Sequence, residues 1–166
     1  MTLETSDQTA ERHAALRLRA AIACEVAAAL CGDATALADV VSVVGDSFAA
    51  EATSVRRART TVVELAAKAG VTGQRLDAIR LAVSEAATNA VMHAYPDGPG
   101  DFGVRAAVVG GRLIARITDH GCGPDAPSRH PGLGYGLKVI AASTDSFTVT
   151  RRRHGGTEIV MRWTIP

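Results

Sequence analysis

LAVSEAATNAVMHAY, Leu81 to Tyr95, is the stretch from which the rest of the chain is read. Apolar residues recur at Ile79, Ala82, Val83, Ala86, Ala87, Ala90, Val91 and Ala94, the spacing of an α-helix with one buried face. Glu85, Asn89 and His93 follow one another at four-residue steps. Such steps advance a helix by slightly more than one turn, so the three side chains form one slowly drifting polar row. A polar row beside so much alanine and valine suits a helix that walls a polar cleft. It also fits a helix with ordinary solvent-facing polar residues.

The chemistry of the row is that of a phosphate and metal site with a base nearby. Asn89 offers a neutral carbonyl oxygen, a suitable ligand for a hard cation such as Mg²⁺ that keeps water and phosphate oxygens. A second carboxylate there would repel the phosphates. Glu85, one turn earlier, can accept a proton from a hydroxyl or a water.

Composition sets the frame. The chain has 166 residues, enough for one domain with an extension and a real core. A hydrophobic content of 47% beside 21% charged residues is ordinary for a globular protein. The formal net charge of +1 gives no global field to recruit nucleic acid or an anionic membrane. Charges interrupt every candidate membrane span. The first residues, MTLETSDQTAERH, lack the basic-then-apolar order of a signal peptide. Three cysteines without metal-like spacing fit free thiols in a reducing compartment, so a cytoplasmic location is expected.

Along the chain, residues 1–11 are polar. Glu11–Cys31 is Ala-rich, with Leu16, Leu18, Ile22, Val26, Ala29 and Leu30 spaced as in an amphipathic helix that ends at Gly32-Asp33. It reads equally as a docking or dimerisation element and as an accessory helix packed on the domain. Ala34–Val41 continues as a short helix and Val41–Ala50 as a first strand. Ala52–Ala69 is a helix, with Thr53 or Ser54 as N-cap and Gly70 as stop. The central helix runs from Gln74 to Tyr95, where Pro96 ends it. Phe102–Val109 and Leu113–Asp119 are strands joined by Gly110-Gly111. After a Gly/Pro-rich loop come a helix at Leu137–Ser143 and strands at Ser146–Arg152 and Thr157–Ile165. Hairpin strands with helices inserted between them give an α/β two-layer sandwich. Its sheet is expected to be mixed, mostly antiparallel, and covered by helices on one face. The division is an N-terminal extension, 1–41, and a domain, 42–166.

Two glycine loops add chemistry. Asp119-His120-Gly121-Cys122-Gly123 ends an apolar strand with a carboxylate that can accept from an exocyclic amine, while the glycines admit a ligand to the backbone. It also reads as an Asp-Gly turn. Gly132-Leu133-Gly134-Tyr135-Gly136 runs into the helix that starts LKVIAAS, where free N–H groups and the helix dipole can meet a phosphate. A flexible connector would look the same. No Lys-Ser/Thr of a P-loop is present.

Taken together and in order, Glu85…Asn89…His93, Asp119-x-Gly121-x-Gly123, Gly132-x-Gly134-x-Gly136 and Gly155-Gly156-Thr157 resemble the Bergerat-fold, histidine-kinase-like ATPases. The likeness covers roughly Val43 to Pro166. Within that superfamily the chain is most similar to the anti-sigma-factor serine/threonine kinases. It is small, reads SEAATNAVMHAY in its first box, and has only Pro124–Pro131 between the second and third boxes.

The resemblance implies an ATP- and Mg²⁺-dependent protein kinase that phosphorylates an anti-sigma antagonist and holds a sigma factor, with homodimerisation open. Glu85 would be the base and Asn89 the Mg²⁺ ligand, with His93 beside the nucleotide. Asp119 would bind the adenine amine, Gly121 and Gly123 would shape its pocket, and Thr157 would lie on the adenine side. Gly132, Leu133, Gly134, Tyr135, Gly136 and Leu137 would wrap the phosphates. Other readings are an ATP-gated binding module without transfer and the ATP-binding subunit of a split sensor histidine kinase. Cys122 reads as filler or as a redox site, and Arg151–His154 as a solvated basic turn or as a contact to phosphate or an acidic partner.

Overall fold

Alternation of polar and apolar side chains over short runs, broken by glycine pairs, yields five strands, and two longer 3.6-period runs yield the principal helices. The computed structural model describes residues 40–125 and 135–166. In chain order these form β1 (Val40–Ala49), α1 (Ala52–Lys68), α2 (Gly73–His93), β2 (Asp101–Val109), β3 (Arg112–Asp119), α3 (Gly136–Ser143), β4 (Ser146–Arg151) and β5 (Thr157–Thr164). The expected element order holds from β1 to β5. The Ala-rich segment Glu11–Cys31, with Cys24 and Cys31, lies outside the described residues. So does most of the short helix expected at Ala34–Val41, whose last two residues instead begin β1.

The strands form one sheet in the order β1-β2-β3-β5-β4. Every pairing between them is antiparallel, so the few parallel pairs of a mixed sheet are not found among the described strands. The order follows from the turns. Gly110 and Gly111 take φ of +52° and +69°, the left-handed pair that lets a two-residue hairpin follow the sheet twist. Returning through α3 places β4 at the edge and β5 between it and β3.

All three helices cover one face. From the sheet that face receives Phe102, Val104, Ala106 and Val108, then Leu113, Ala115 and Ile117, then Ile159, Met161 and Trp163. Opposite them stand Ala58, Val62, Leu65 and Ala66 of α1 and Ile79, Ala82, Val83, Ala86, Ala87 and Ala90 of α2. The alanines of α2 keep its backbone close to its neighbours, which fixes the polar row beside them. Trp163 is fully buried, and its Nε1–H donates to the Ser143 carbonyl at 2.7 Å, joining β5 to the end of α3.

The ends of α1 show where tertiary structure overrides local preference. Neither Thr53 nor Ser54 caps it. Residue Glu51, still extended, holds the cap position without a side-chain bond. The Ala50 N–H donates to the Gly100 carbonyl at 2.7 Å, which keeps the chain straight up to that point and starts the helix directly after it. The C-terminus behaves as expected. Gly70, at φ +86°, donates to the Ala67 carbonyl and Val71 to that of Ala66, a Schellman closure that buries Val71. No helix among the described residues is long and apolar enough to cross a membrane.

Candidate functional site

The site is laid out along one side of the C-terminal half of α2, with the loop after β3 docked at the helix end and the start of α3 packed nearer its middle. At the C-terminal end the Ala94 carbonyl accepts the Cys122 N–H at 2.9 Å. A Cβ on Gly121 would sit 2.0 Å from that carbonyl oxygen, so only glycine permits the approach. The loop after β3 is thereby held against the helix end. His93, exposed on the last turn, takes the Cys122 Sγ–H on its backbone carbonyl at 3.1 Å.

Asp119, the last residue of β3, is 5% exposed. Its Oδ1 accepts the backbone N–H of Gly121 and that of Thr157, both at 3.0 Å. No hydrogen bond from the described residues reaches Oδ2. A buried carboxylate with one oxygen fixed and the other unengaged is a pre-oriented acceptor. The β4–β5 turn closes over it from the far side. Gly156 at φ +89° approaches so closely that a Cβ would meet the Asp119 carbonyl oxygen at 2.1 Å.

Two residues that sequence reading did not assign to the site complete this end. Arg152 donates from Nη1 to the Asp119 carbonyl at 2.9 Å, half-buried rather than fully solvated as a basic turn would be. Tyr95 donates its hydroxyl to the Asp101 carbonyl at 2.5 Å and accepts the His120 N–H at 2.9 Å. It thus ties the end of the α2 segment to both β2 and the loop. In sequence the cluster Arg151–His154 carries only charge, and Tyr95 only marks a helix end. Nothing local tells which arginine turns inward. Arg151 remains exposed; its guanidinium lies over Gly123 and pairs with Asp125 at 3.3 Å.

The other end of the site is the start of α3. An added Cβ on Gly136 would lie 3.2 Å from Asn89 Oδ1 and 3.3 Å from Glu85 Oε2. The helix N-terminus, with its unsatisfied amides, therefore abuts the middle of the polar row. Tyr135 and Leu137 are exposed beside it, and the Lys138 ammonium sits 5.2 Å from the Tyr135 ring centroid. Gly132, Leu133, Gly134 and His130 lie outside the described residues. Nine residues of helix, about 14 Å, separate Glu85 from Ala94. Glu85, Asn89, Gly136 and Leu137 thus gather at one end, and His93, Asp119, Gly121, Gly123 and Thr157 at the other.

For a divalent cation, Asn89 supplies a neutral oxygen ligand, and no cluster of three or more His, Cys, Asp or Glu side chains able to hold a metal occurs among the described residues. This donor set fits Mg²⁺, which retains water and takes phosphate oxygens, rather than a metal held wholly by protein.

Comparison with known proteins shows the family. The histidine kinase-like ATPase domain matches residues 48–163. The anti-sigma F factor of Clostridium acetobutylicum is 31% identical over 127 residues, covering 69% of this chain and 88% of that protein. The serine-protein kinase RsbW of Bacillus subtilis is 32% identical over 108 residues, 64% of this chain and 63% of that protein. Among solved structures, the RsbU and RsbW domains of Rv1364c from Mycobacterium tuberculosis share the fold, with a TM-score of 0.59 at 24% identity. That match spans 74% of this chain and 32% of the other. With the matched domain covering most of its length and the site's boxes in order, this chain belongs to the histidine kinase-like ATPases, and within them to the anti-sigma-factor serine kinase family.

Proposed function

We propose that this protein is an ATP-dependent serine/threonine kinase that phosphorylates an anti-sigma antagonist and binds a sigma factor. The relatives named anti-sigma F factor and serine-protein kinase RsbW support the partner classes. The observation that carries the reading is the two-ended site. An oriented carboxylate acceptor, Asp119, stands at one end of a helix wall. At the other end, a helix N-terminus faces Glu85 and Asn89.

In this reading Asp119 Oδ2 accepts from the adenine amine, with Gly121, Gly123 and Thr157 shaping the pocket and His93 at its margin. The amides from Gly132 to Leu137 receive the phosphates. Asn89 would hold Mg²⁺, which supplies charge neutralisation on the phosphate oxygens. Glu85 orients the substrate serine and takes its proton. The serine oxygen bonds to the γ-phosphorus as the bond from that phosphorus to the β–γ bridging oxygen breaks, and ADP leaves with that electron pair. Residues 42–166 form the catalytic unit, and residues 1–41 are an extension to it.

The test is transfer of labelled γ-phosphate from ATP to candidate antagonist proteins, compared between wild type and Glu85→Gln. Wild type transfers label, and the variant binds ATP but transfers about 10²- to 10⁴-fold more slowly, the usual contribution of a positioned base. Equal rates would remove Glu85 from the chemistry. A wild type that grips a partner only with ATP, and never labels it, would make the protein an ATP-gated binding module.

A further inference from the structure

The face of the sheet turned away from the three helices carries a second set of buried apolar side chains. On β2 the residues opposite in phase to the core set are Gly103, Arg105, Ala107 and Val109, and on β3 they include Ile114, Arg116 and Thr118. Ala107 pairs directly with Ile114, and Ile114 lies diagonal to Val160 of β5. Ala107 is fully buried, and Ile114, Val160 and Val109 are 3%, 4% and 6% exposed. None of the four belongs to the core beneath the helices. Arg116 on the same face, paired with Glu158 at 3.5 Å, has only 14% of its side chain exposed. An open sheet face flanked only by its own side chains does not bury isoleucine and arginine to this degree. No described helix lies against it.

We infer that residues 11–31 of the same chain cover this face, as an amphipathic helix laid across the strands. The chain enters β1 at Val40, which pairs with Val109 at one corner of the apolar set. The segment outside the described structure therefore begins beside the surface that needs a cover. Residues 32–39 can reach up to about 28 Å, enough to turn the segment back over the sheet. As a helix, residues 11–31 are about 31 Å long, against roughly 19 Å for the width of a five-stranded sheet. Leu18, Ile22, Val26, Ala29 and Leu30 fall on one stripe at i, i+4, i+8, i+11 and i+12. The stripe supplies apolar side chains for Ala107, Ile114 and Val160, while Arg17 stays toward water and Glu25 borders the stripe. Occupied in this way, the face is closed to a second copy of the chain. This inference does not depend on the kinase reading.

The experiment uses the full chain with its three native cysteines changed to serine and a reporter thiol introduced by Ile114→Cys or, separately, by Val109→Cys. Maleimide modification of the thiol is timed with and without Ile22→Glu, with the fluorescence of buried Trp163 confirming that the core stays folded and light scattering giving the mass. The expected result is slow modification that Ile22→Glu accelerates at least tenfold at both positions. Fast modification without Ile22→Glu would overturn the inference, because the face would be open. Slow modification that Ile22→Glu leaves slow would also overturn it, and a doubled mass in that case would assign the face to a second copy.

Discussion

Asp119 illustrates how much of this site is made by backbone. Its carboxylate is aimed by two N–H groups, its carbonyl is held by Arg152, and two glycines admit the neighbouring chain. Asp119→Asn keeps the size but places a mixed donor and acceptor where the buried carboxylate stood. It is expected to abolish most of the ATP-induced rise in melting temperature; a rise equal to wild type's would take Asp119 out of the base site. Gly121→Ala drives a methyl into the Ala94 carbonyl, and overpacking of this kind costs about 1–3 kcal/mol. Chemical denaturation checks that loss, and nucleotide binding should weaken with it because the Asp119 loop must move off α2. Asn89→Ala removes a neutral oxygen at the start of α3. It should lower affinity for MgATP and transfer together, whereas Glu85→Gln affects transfer alone, and isothermal titration beside the transfer assay separates the two.

At the scale of elements, α2 is fastened at its other terminus by a polar clamp away from the site. Arg75, in its first turn, pairs with Asp145, just before β4, and also donates to the Thr164 carbonyl at 3.0 Å. The Asp145 carboxylate further accepts the Thr164 N–H at 2.7 Å. The Arg75 guanidinium, followed by the Thr164 N–H, holds the Asp145 carboxyl below its ordinary value of 3.8. A carboxylate depressed in the folded state stabilises above its unfolded pKa, and the stabilisation fades as pH falls through the lower folded value. Both partners are more than a third exposed, so the clamp contributes no more than about 1 kcal/mol. Asp145→Asn should therefore be less stable than wild type by a constant margin above pH about 4, and the margin should shrink at lower pH. Urea titrations from pH 6 down to pH 2 measure it, and a margin unchanged to the lowest pH would show that the pair does not act through ionisation.

Over the whole molecule, a nucleotide that bridges Asp119 and the α3 N-terminus would join the loop docked at the C-terminus of α2 to a segment packed against its middle. Ligand binding to the folded state alone stabilises by mass action, about 2.7 kcal/mol at a hundred times Kd. For a chain of this length that is a rise in melting temperature of roughly 5–10 °C. MgATP should produce it, and chelation of Mg²⁺ should remove part of it if Asn89 acts through the metal. An absent shift at saturating MgATP would mean that the two ends do not share one ligand.

Element order from β1 onward is legible in the chain alone, because hydrophobic period and glycine punctuation are local properties. The 3.6-residue period of α2, the Gly110-Gly111 hairpin and the Gly70 stop all take their form from residues close in the chain. The chemical types in each box are legible too, Glu85 and Asn89 on one row and Asp119 before its glycines. Which groups meet across distance is settled by the packed fold. The start of α1 follows a bond to Gly100, the Asp119 carboxylate is aimed by Thr157, and Arg152 rather than Arg151 turns inward. These pairings join residues 33 to 50 positions apart. They are fixed by sheet register and loop docking, which no local spacing encodes.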